Sequence, residues 1–238
     1  MNVLVISAHP DDEVLGLGGT LARHVRQGDV VFPVIVADGS QVRYSEEQRD
    51  ELKSACAKCC AELGLQPPEY LGFRDQGLDA HSQIEINNVL EVLVRKCRPK
   101  VVYTHHFGDM NRDHQVLHEA TLVACRPKPG GIVKRVLTYV VPSSTDWAPY
   151  SSERAFLPNW FVDISETIEQ KLRALAHYSS EIEPYPHPRS LEAVRSQAKF
   201  WGSGVGVEYA EPFMLVRNLM TTSDRKSGSP VTHREGHR

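Results

Sequence analysis

The stretch VLVISAHPDDE, residues 3–13, contains a strand pattern, a turn and the start of a helix. Val3–Ser7 is an apolar, β-branched run that is typical of a short buried strand. A His-Pro turn follows it, and a helix-like segment runs from Asp12 to about Gln27, where Gly28 supplies a stop signal. This order of strand, loop and helix is the first unit of an α/β fold.

The same alternation repeats along the chain. Strand-like and helix-like runs follow one another at 30–37 and 46–63, at 69–73 and 84–97, and at 101–105 and 113–125. Such alternation predicts an α/β fold with a mostly parallel sheet and helices on both faces. Later strands are predicted at 133–141 and 160–164, and Ser165 is the predicted N-cap of a helix that reaches about Tyr178.

The chain is predicted to form one domain and a tail. Residues 1–220 suit a single domain, and the composition shifts to small polar and charged residues at 221–238, which predicts a disordered tail. The net charge of −3 and the lack of a basic stripe argue against nucleic acid and favour a small-molecule partner. No apolar run approaches the roughly 20 residues that cross a bilayer. Without a secretory signal pattern we expect a cytoplasmic protein, and the sequence is compatible with a homo-oligomer as well as with a monomer.

Two short motifs have weaker chemical interpretations. Cys56, Cys59 and Cys60 could form half of a zinc or redox pair, but they lie in a helix-like run where free cysteines are usually buried apolar residues. The glycines of Gly16-x-Gly18-Gly19 could mark a nucleotide-binding loop, but they fall inside the first helix and miss the full spacing. We therefore interpret them as sites of close helix–sheet packing.

Two polar clusters follow predicted parallel strands, and both contain the His and Asp side chains that hydrolysis commonly uses. The first is AHPDDE at 8–13, and the second is THHFGDMNRDH at 104–114. Ligand crevices of open α/β sheets lie beyond the carboxyl ends of the strands, so the clusters should meet there. His9 and Asp12 can converge on one cation, with His114 as a third ligand, and three such ligands leave one position for water.

The remaining residues of the clusters suggest amide hydrolysis. A zinc-type ion lowers the pKa of a coordinated water from 15.7 toward ~7. Asp11 is expected to be aimed away from the cation and free to take the proton, while Asn111 can present its amide toward a ligand. Either cluster alone is more typical of a capped helix start or an ordinary histidine, but their pairing at two strand ends favours a site.

These motifs resemble one enzyme family over roughly residues 1–219. AHPDDE with the later Asn-x-Asp-His, together with LGFRD at 71–75 and YAEPF at 209–213, is similar to the LmbE-like or PIG-L metal-dependent N-acetylglucosaminyl deacetylases. The resemblance implies a Rossmann-like three-layer fold. It also implies removal of an N-acetyl group from an N-acetylglucosamine-type amino sugar or glycoconjugate.

The resemblance also implies roles for individual residues. Zinc would be held by His9, Asp12 and His114, with Asp11 as general base and then acid; two histidines and a carboxylate suit iron(II) as well. Asn111 stands where the family often has a histidine that stabilises the oxyanion, and an amide can donate the same hydrogen bond. Arg49 and Asp75 match positions near the substrate sugar hydroxyls. His187 and Arg189, in the loop YPHPRS at 185–190, could bind a sugar or phosphate oxygen, although a proline-stiffened turn with solvated charges is equally typical.

Two other functions remain open from the residues themselves. A metal-dependent phosphoesterase commonly uses two metals, and Asp109 and Asp113 could supply the bridging carboxylates. A non-catalytic nucleotide- or metal-binding Rossmann-like module would share the sheet but would have no need of Asp11 as a base.

Overall fold

A computed structural model describes residues 1–38, 44–149 and 151–221 of the chain. The predicted tail therefore lies outside the described residues, apart from Thr221. No helix within the described ranges is long and apolar enough to cross a membrane.

Seven strands form one sheet within the described part of the chain. They are β1 (Asn2–Ser7), β2 (Val30–Ile35), β3 (Glu69–Tyr70), β4 (Val101–His105), β5 (Arg135–Tyr139), β6 (Trp160–Asp163) and β7 (Ala210–Asn218). Their order in the sheet is β3-β2-β1-β4-β5-β7-β6. The first five strands in this order are parallel, and β7 is antiparallel to both β5 and β6. The mostly parallel sheet is thus confirmed.

Helices cover both faces of this sheet. They are α1 (Asp12–Arg26), α2 (Glu46–Leu63), α3 (Gln83–Cys97), α4 (Arg112–Ala124), α5 (Ile168–Leu175) and α6 (Leu191–Val205), with a short 3-10 turn at Leu78–Ala80. In β1, Val3 and Val5 pack into a core with α1, α2 and α5, whereas Leu4 and Ile6 pack into a second core with α3 and α4. Successive strand residues point to opposite faces, so one apolar strand contributes to two cores. The three-layer fold is confirmed.

The prediction for the start of α5 is wrong. The helix begins at Ile168 with Thr167 at the N-cap position and ends at Leu175 rather than near Tyr178. Ser165 instead donates a hydrogen bond of 2.6 Å to the Asp163 carboxylate. Because the amide of Thr167 donates to the carbonyl of Ile164, the chain completes a turn before the helix starts.

The first helix is kinked at Leu17, where φ is −148°. The kink frees backbone groups that a buried ion pair then binds. The Lys171 ammonium donates to the Leu15 carbonyl at 2.9 Å and lies 2.6 Å from Glu211, which accepts from the amides of Gly19 and Thr20. Two distant side chains thus satisfy the broken helix.

The glycines and cysteines have the packing roles predicted for them. A Cβ on Gly16 would lie 2.8 Å from the Val140 carbonyl oxygen, and one on Gly19 would lie 2.8 Å from Ile164. The helix therefore approaches the sheet more closely than a larger residue would allow. All five cysteines are free and buried, and Cys56, Cys59 and Cys60 belong to the core beneath α2.

Candidate active site

The candidate site lies at the carboxyl end of β1, where the order of the strands in the sheet reverses. β2, the next strand in the chain, pairs with one side of β1, and β4 pairs with the other side. A crevice opens at such a point, beyond the carboxyl ends of the two strands. The loop after β1 and the loop after β4 meet in this crevice, so the two polar clusters are brought together as expected.

Three donor atoms from these loops converge in this crevice. His9 Nδ1 lies 3.4 Å from Asp12 Oδ2, and His114 Nε2 lies 3.3 Å from each of these two atoms. A tetrahedral ion with bonds of about 2.0 Å places its ligand atoms roughly 3.3 Å apart. The predicted triad therefore has the donor types and the spacing that a zinc-type ion requires.

Carboxylates contact the other ring nitrogen of each histidine. Asp113 Oδ2 lies 3.1 Å and Asp75 Oδ1 lies 3.2 Å from His9 Nε2, and Asp109 Oδ2 lies 3.1 Å from His114 Nδ1. A carboxylate at one ring nitrogen keeps the proton there and leaves the other nitrogen to accept. These contacts orient Nδ1 of His9 and Nε2 of His114 toward the shared point.

Asp109 is itself fixed by its neighbours. The hydroxyls of Ser144 and Thr145 both donate to its carboxylate. Burial alone would raise the pKa of Asp109, but His114 and the two hydroxyls outweigh it and lower the pKa to about 2. Asp109 is therefore ionised at neutral pH, which suits a carboxylate that orients a histidine.

Asp11 is held in an uncommon backbone conformation beside the triad. Its φ is +104°, and its amide donates a 3.1 Å hydrogen bond to the buried Glu13 carboxylate. The Asp11 side chain also has a charged partner, because Arg189 Nη1 donates to its Oδ2 at 2.8 Å. Burial raises the pKa of Asp11, whereas the adjacent Arg189 guanidinium favours the ionised carboxylate.

A single pocket gathers most of the predicted site residues. It is lined by His9, Asp11, Arg49, Asp75, Asn111 and His114. Asp12 contacts His9 and His114. Asn111 is the N-cap of α4, and its Oδ1 accepts from the amide of Asp113 at 2.9 Å. The side-chain NH₂ of Asn111 is therefore the end left to donate to a ligand.

Two features of the site were not anticipated. His187 lies outside this pocket, in an adjoining cleft that shares Asn111, Glu181 and Arg189 with it. Glu181 also lines the pocket and accepts from the Tyr44 hydroxyl at 3.2 Å. Nothing in the local sequence around Glu181 signals this, since only the folded chain brings it to the crevice.

Comparisons with known proteins agree with the resemblance seen in the sequence. The family model described as GlcNAc-PI de-N-acetylase, PIG-L, matches residues 4–125. The chain is 31% identical over 190 residues to the uncharacterized deacetylase YaiS of Escherichia coli, covering 75% of this chain and 90% of YaiS. It is 27% identical over 238 residues to the diacetylchitobiose deacetylase of Thermococcus kodakarensis, covering 91% and 84%. Among solved structures, the conserved protein TT1542 from Thermus thermophilus superposes with a TM-score of 0.72 and 29% identity, covering 92% of this chain and 96% of that one.

Proposed function

This chain belongs to the PIG-L (GlcNAc-PI de-N-acetylase) family, and we propose that it hydrolyses the acetamide of an N-acetylglucosamine-type amino sugar or its conjugate. Two relatives are described as deacetylases, one of them acting on diacetylchitobiose. The observation that carries the proposal is the triangle of His9, Asp12 and His114 donor atoms with the Asp11 carboxylate in the same crevice.

The proposed cofactor is a single zinc ion, held by His9, Asp12 and His114. Bound there, such an ion would supply a Lewis acid for the acetamide carbonyl and would lower the pKa of water toward neutrality. The donor set of two histidines and one carboxylate would also accept iron(II). Replacing the metal in chelator-treated protein with each ion in turn distinguishes the two by activity per bound ion.

Asp11 is proposed to act on the proton of the attacking water. Arg189 binds its Oδ2, which leaves Oδ1 to accept the proton and later to return it to the departing amine. The fixed backbone of Asp11 and the Glu13 contact to its amide keep the carboxylate in one orientation. This is the geometric requirement of a base that must meet a water held at one point.

Other residues of the pocket are proposed to bind the reacting sugar. Asn111 donates its NH₂ to the oxygen that gains charge as the carbonyl is attacked. Arg49 and Asp75 line the same pocket and suit the hydroxyls of the sugar ring. Arginine donates several hydrogen bonds and aspartate accepts them, so the pair can bind hydroxyl groups in both directions.

The carboxylate–histidine contacts of the site argue against the phosphoesterase alternative. Asp109 and Asp113, the carboxylates considered as bridges, contact the histidine nitrogens outside the proposed metal triad, Nδ1 of His114 and Nε2 of His9. Bridging two metals would require them to leave the histidines that they orient.

Acetate release from a panel of N-acetylated amino sugars and their conjugates tests the proposal. We expect acetate from at least one member, loss of activity after chelation, and recovery with added zinc or iron(II). Turnover of a phosphoester without acetate release, with two metals per chain, would contradict it.

A further inference from the structure

Asp11 occupies the N-cap position of α1 but does not cap the helix. An N-cap aspartate commonly has an extended backbone, and its side chain accepts from an amide in the first turn of the helix. Asp11 makes no such side-chain contact, and its φ of +104° lies in a region that residues other than glycine seldom occupy. Its carboxylate lines the pocket instead. The unusual backbone thus places in the crevice a side chain that would otherwise bind the helix end.

A backbone conformation of this kind persists only where surrounding contacts enforce it. The carbonyl of Asp11 accepts from the amides of Val14 and Leu15, as the first turn of any helix would provide. The amide of Asp11 has a less ordinary partner, because it donates to Glu13 Oε2 at 3.1 Å. The contact with Glu13 is therefore the one that distinguishes this conformation from an ordinary helix start.

The Glu13 carboxylate is held in turn by a tyrosine from a distant part of the chain. The Tyr178 hydroxyl donates to Glu13 Oε1 at 2.5 Å, although 165 residues separate the two. Burial and the adjacent Glu13 carboxylate raise the pKa of Tyr178, so the hydroxyl keeps its proton and remains a donor. Both side chains are fully buried, which keeps bulk water from replacing this hydrogen bond.

The position of Tyr178 is fixed by packing. It lies just beyond the end of α5, and its amide donates to the carbonyl of Leu175 at 2.9 Å. Its ring belongs to the same core as Cys56 and Cys59 of α2. Because interiors are closely packed, such a ring presents its hydroxyl at one point. The core between α2 and α5 is thereby connected to the turn after β1.

We propose that Tyr178 is a positioning residue for Asp11: through Glu13 it holds the Asp11 backbone in the conformation that keeps the carboxylate in the crevice. Without the hydroxyl, Glu13 loses its donor, and Asp11 relaxes to an extended backbone and caps α1 with its side chain. Tyr178 is not among the described residues that line the pocket, so it acts without touching the substrate. The inference rests on the proposed role of Asp11 in the deacetylase reaction.

Tyr178→Phe removes the hydroxyl and keeps the ring. We expect kcat for acetate release to fall by roughly 10-fold while KM and bound metal stay within about 2-fold, because a misplaced base costs rate and leaves the ion in place. Tyr103→Phe is the matched control. Tyr103 is 2% exposed, and its hydroxyl lies 3.0 Å from His24 Nε2, outside the pocket. Its removal should leave kcat within roughly 2-fold of the wild type.

Two variants of Glu13 separate the hydrogen bond from the burial of a charge. The glutamine in Glu13→Gln can accept from the Asp11 amide and donate to the Tyr178 oxygen, whereas the leucine in Glu13→Leu can do neither. We expect Glu13→Gln to keep kcat within roughly 5-fold of the wild type and Glu13→Leu to lose roughly 100-fold. Equal losses in the two variants would overturn the role given to this contact.

Crystal structures of the wild type and of Tyr178→Phe test the geometry without any turnover. We expect a positive φ at Asp11 in the wild type, and in the variant a negative φ with the carboxylate on an amide of the first turn of α1. If the wild type releases no acetate from any acetylated sugar, the proposed function fails and these two structures alone decide the positioning role. An unchanged Asp11 conformation in the variant would overturn it. So would an unchanged kcat, a loss of metal together with kcat, or an equal loss in Tyr103→Phe.

Discussion

The Arg189 guanidinium lies 2.8 Å from the Asp11 carboxylate, although 178 residues separate them in the chain. Arg189 also donates to the Ser143 hydroxyl at 2.8 Å, so one side chain joins the loop after Tyr178 to the loop after β5 and to the turn after β1. Three loops that carry the site are thus fixed to one another through a single charged group.

Arg189→Met should lower kcat by roughly 10–100-fold while bound metal stays unchanged, because a misplaced base costs rate without touching the ion. Guanidinium added to the assay should restore part of the lost rate, which a purely structural defect would not show. Arg173→Met is the control, since Arg173 forms an exposed ion pair with Glu62 far from the crevice. An unchanged kcat in Arg189→Met would contradict the positioning role.

Asp109→Asn should weaken metal binding by roughly 10–100-fold, the usual effect of removing a carboxylate that orients a histidine ligand. The variant keeps the size of the side chain and loses its charge at His114. Chelator competition gives the metal affinity directly. The exposed Asp79 provides Asp79→Asn as a matched control, and equal affinities for the two variants would sink this assignment.

Lys171→Met should destabilise the protein by about 3–5 kcal/mol, because Glu211 would remain as a buried charge without its partner. The Leu15 carbonyl would lose its hydrogen bond as well. Urea unfolding measures the free energy of unfolding. Arg173→Met, two residues away on the same helix, breaks only an exposed pair and should cost no more than about 1 kcal/mol. Similar losses in both variants would argue against the role of the buried pair.

The sequence predicted the first half of the fold well because its signals are local. The predicted bounds of α2 and β4 match the structure. The helix caps and the β-branched run that mark these bounds are each made of residues close together in the chain. No helix or strand is predicted from the sequence at the positions of α6 and β7. In β7, Glu211 and Pro212 interrupt the apolar pattern, and Glu211 is buried because it binds the kinked first helix.

The site was predictable where its residues follow strand ends. His9, Asp12 and His114 were expected to meet because parallel strands end at one edge of the sheet. The contact of Arg189 with Asp11 could not be predicted, since no local pattern relates side chains so far apart in the chain. The same holds for Glu181, which reaches the pocket from the loop after α5.

Two adjacent carboxylates have separate functions in this account: Asp12 binds the metal and Asp11 moves the proton. The most direct test measures bound metal per chain and acetate release in the same preparations of Asp11→Asn and His114→Ala. We predict that Asp11→Asn retains about one metal per chain and loses turnover by ~10²–10⁴-fold, whereas His114→Ala loses metal and turnover together. Full metal content in His114→Ala, or undiminished turnover in Asp11→Asn, would contradict the account.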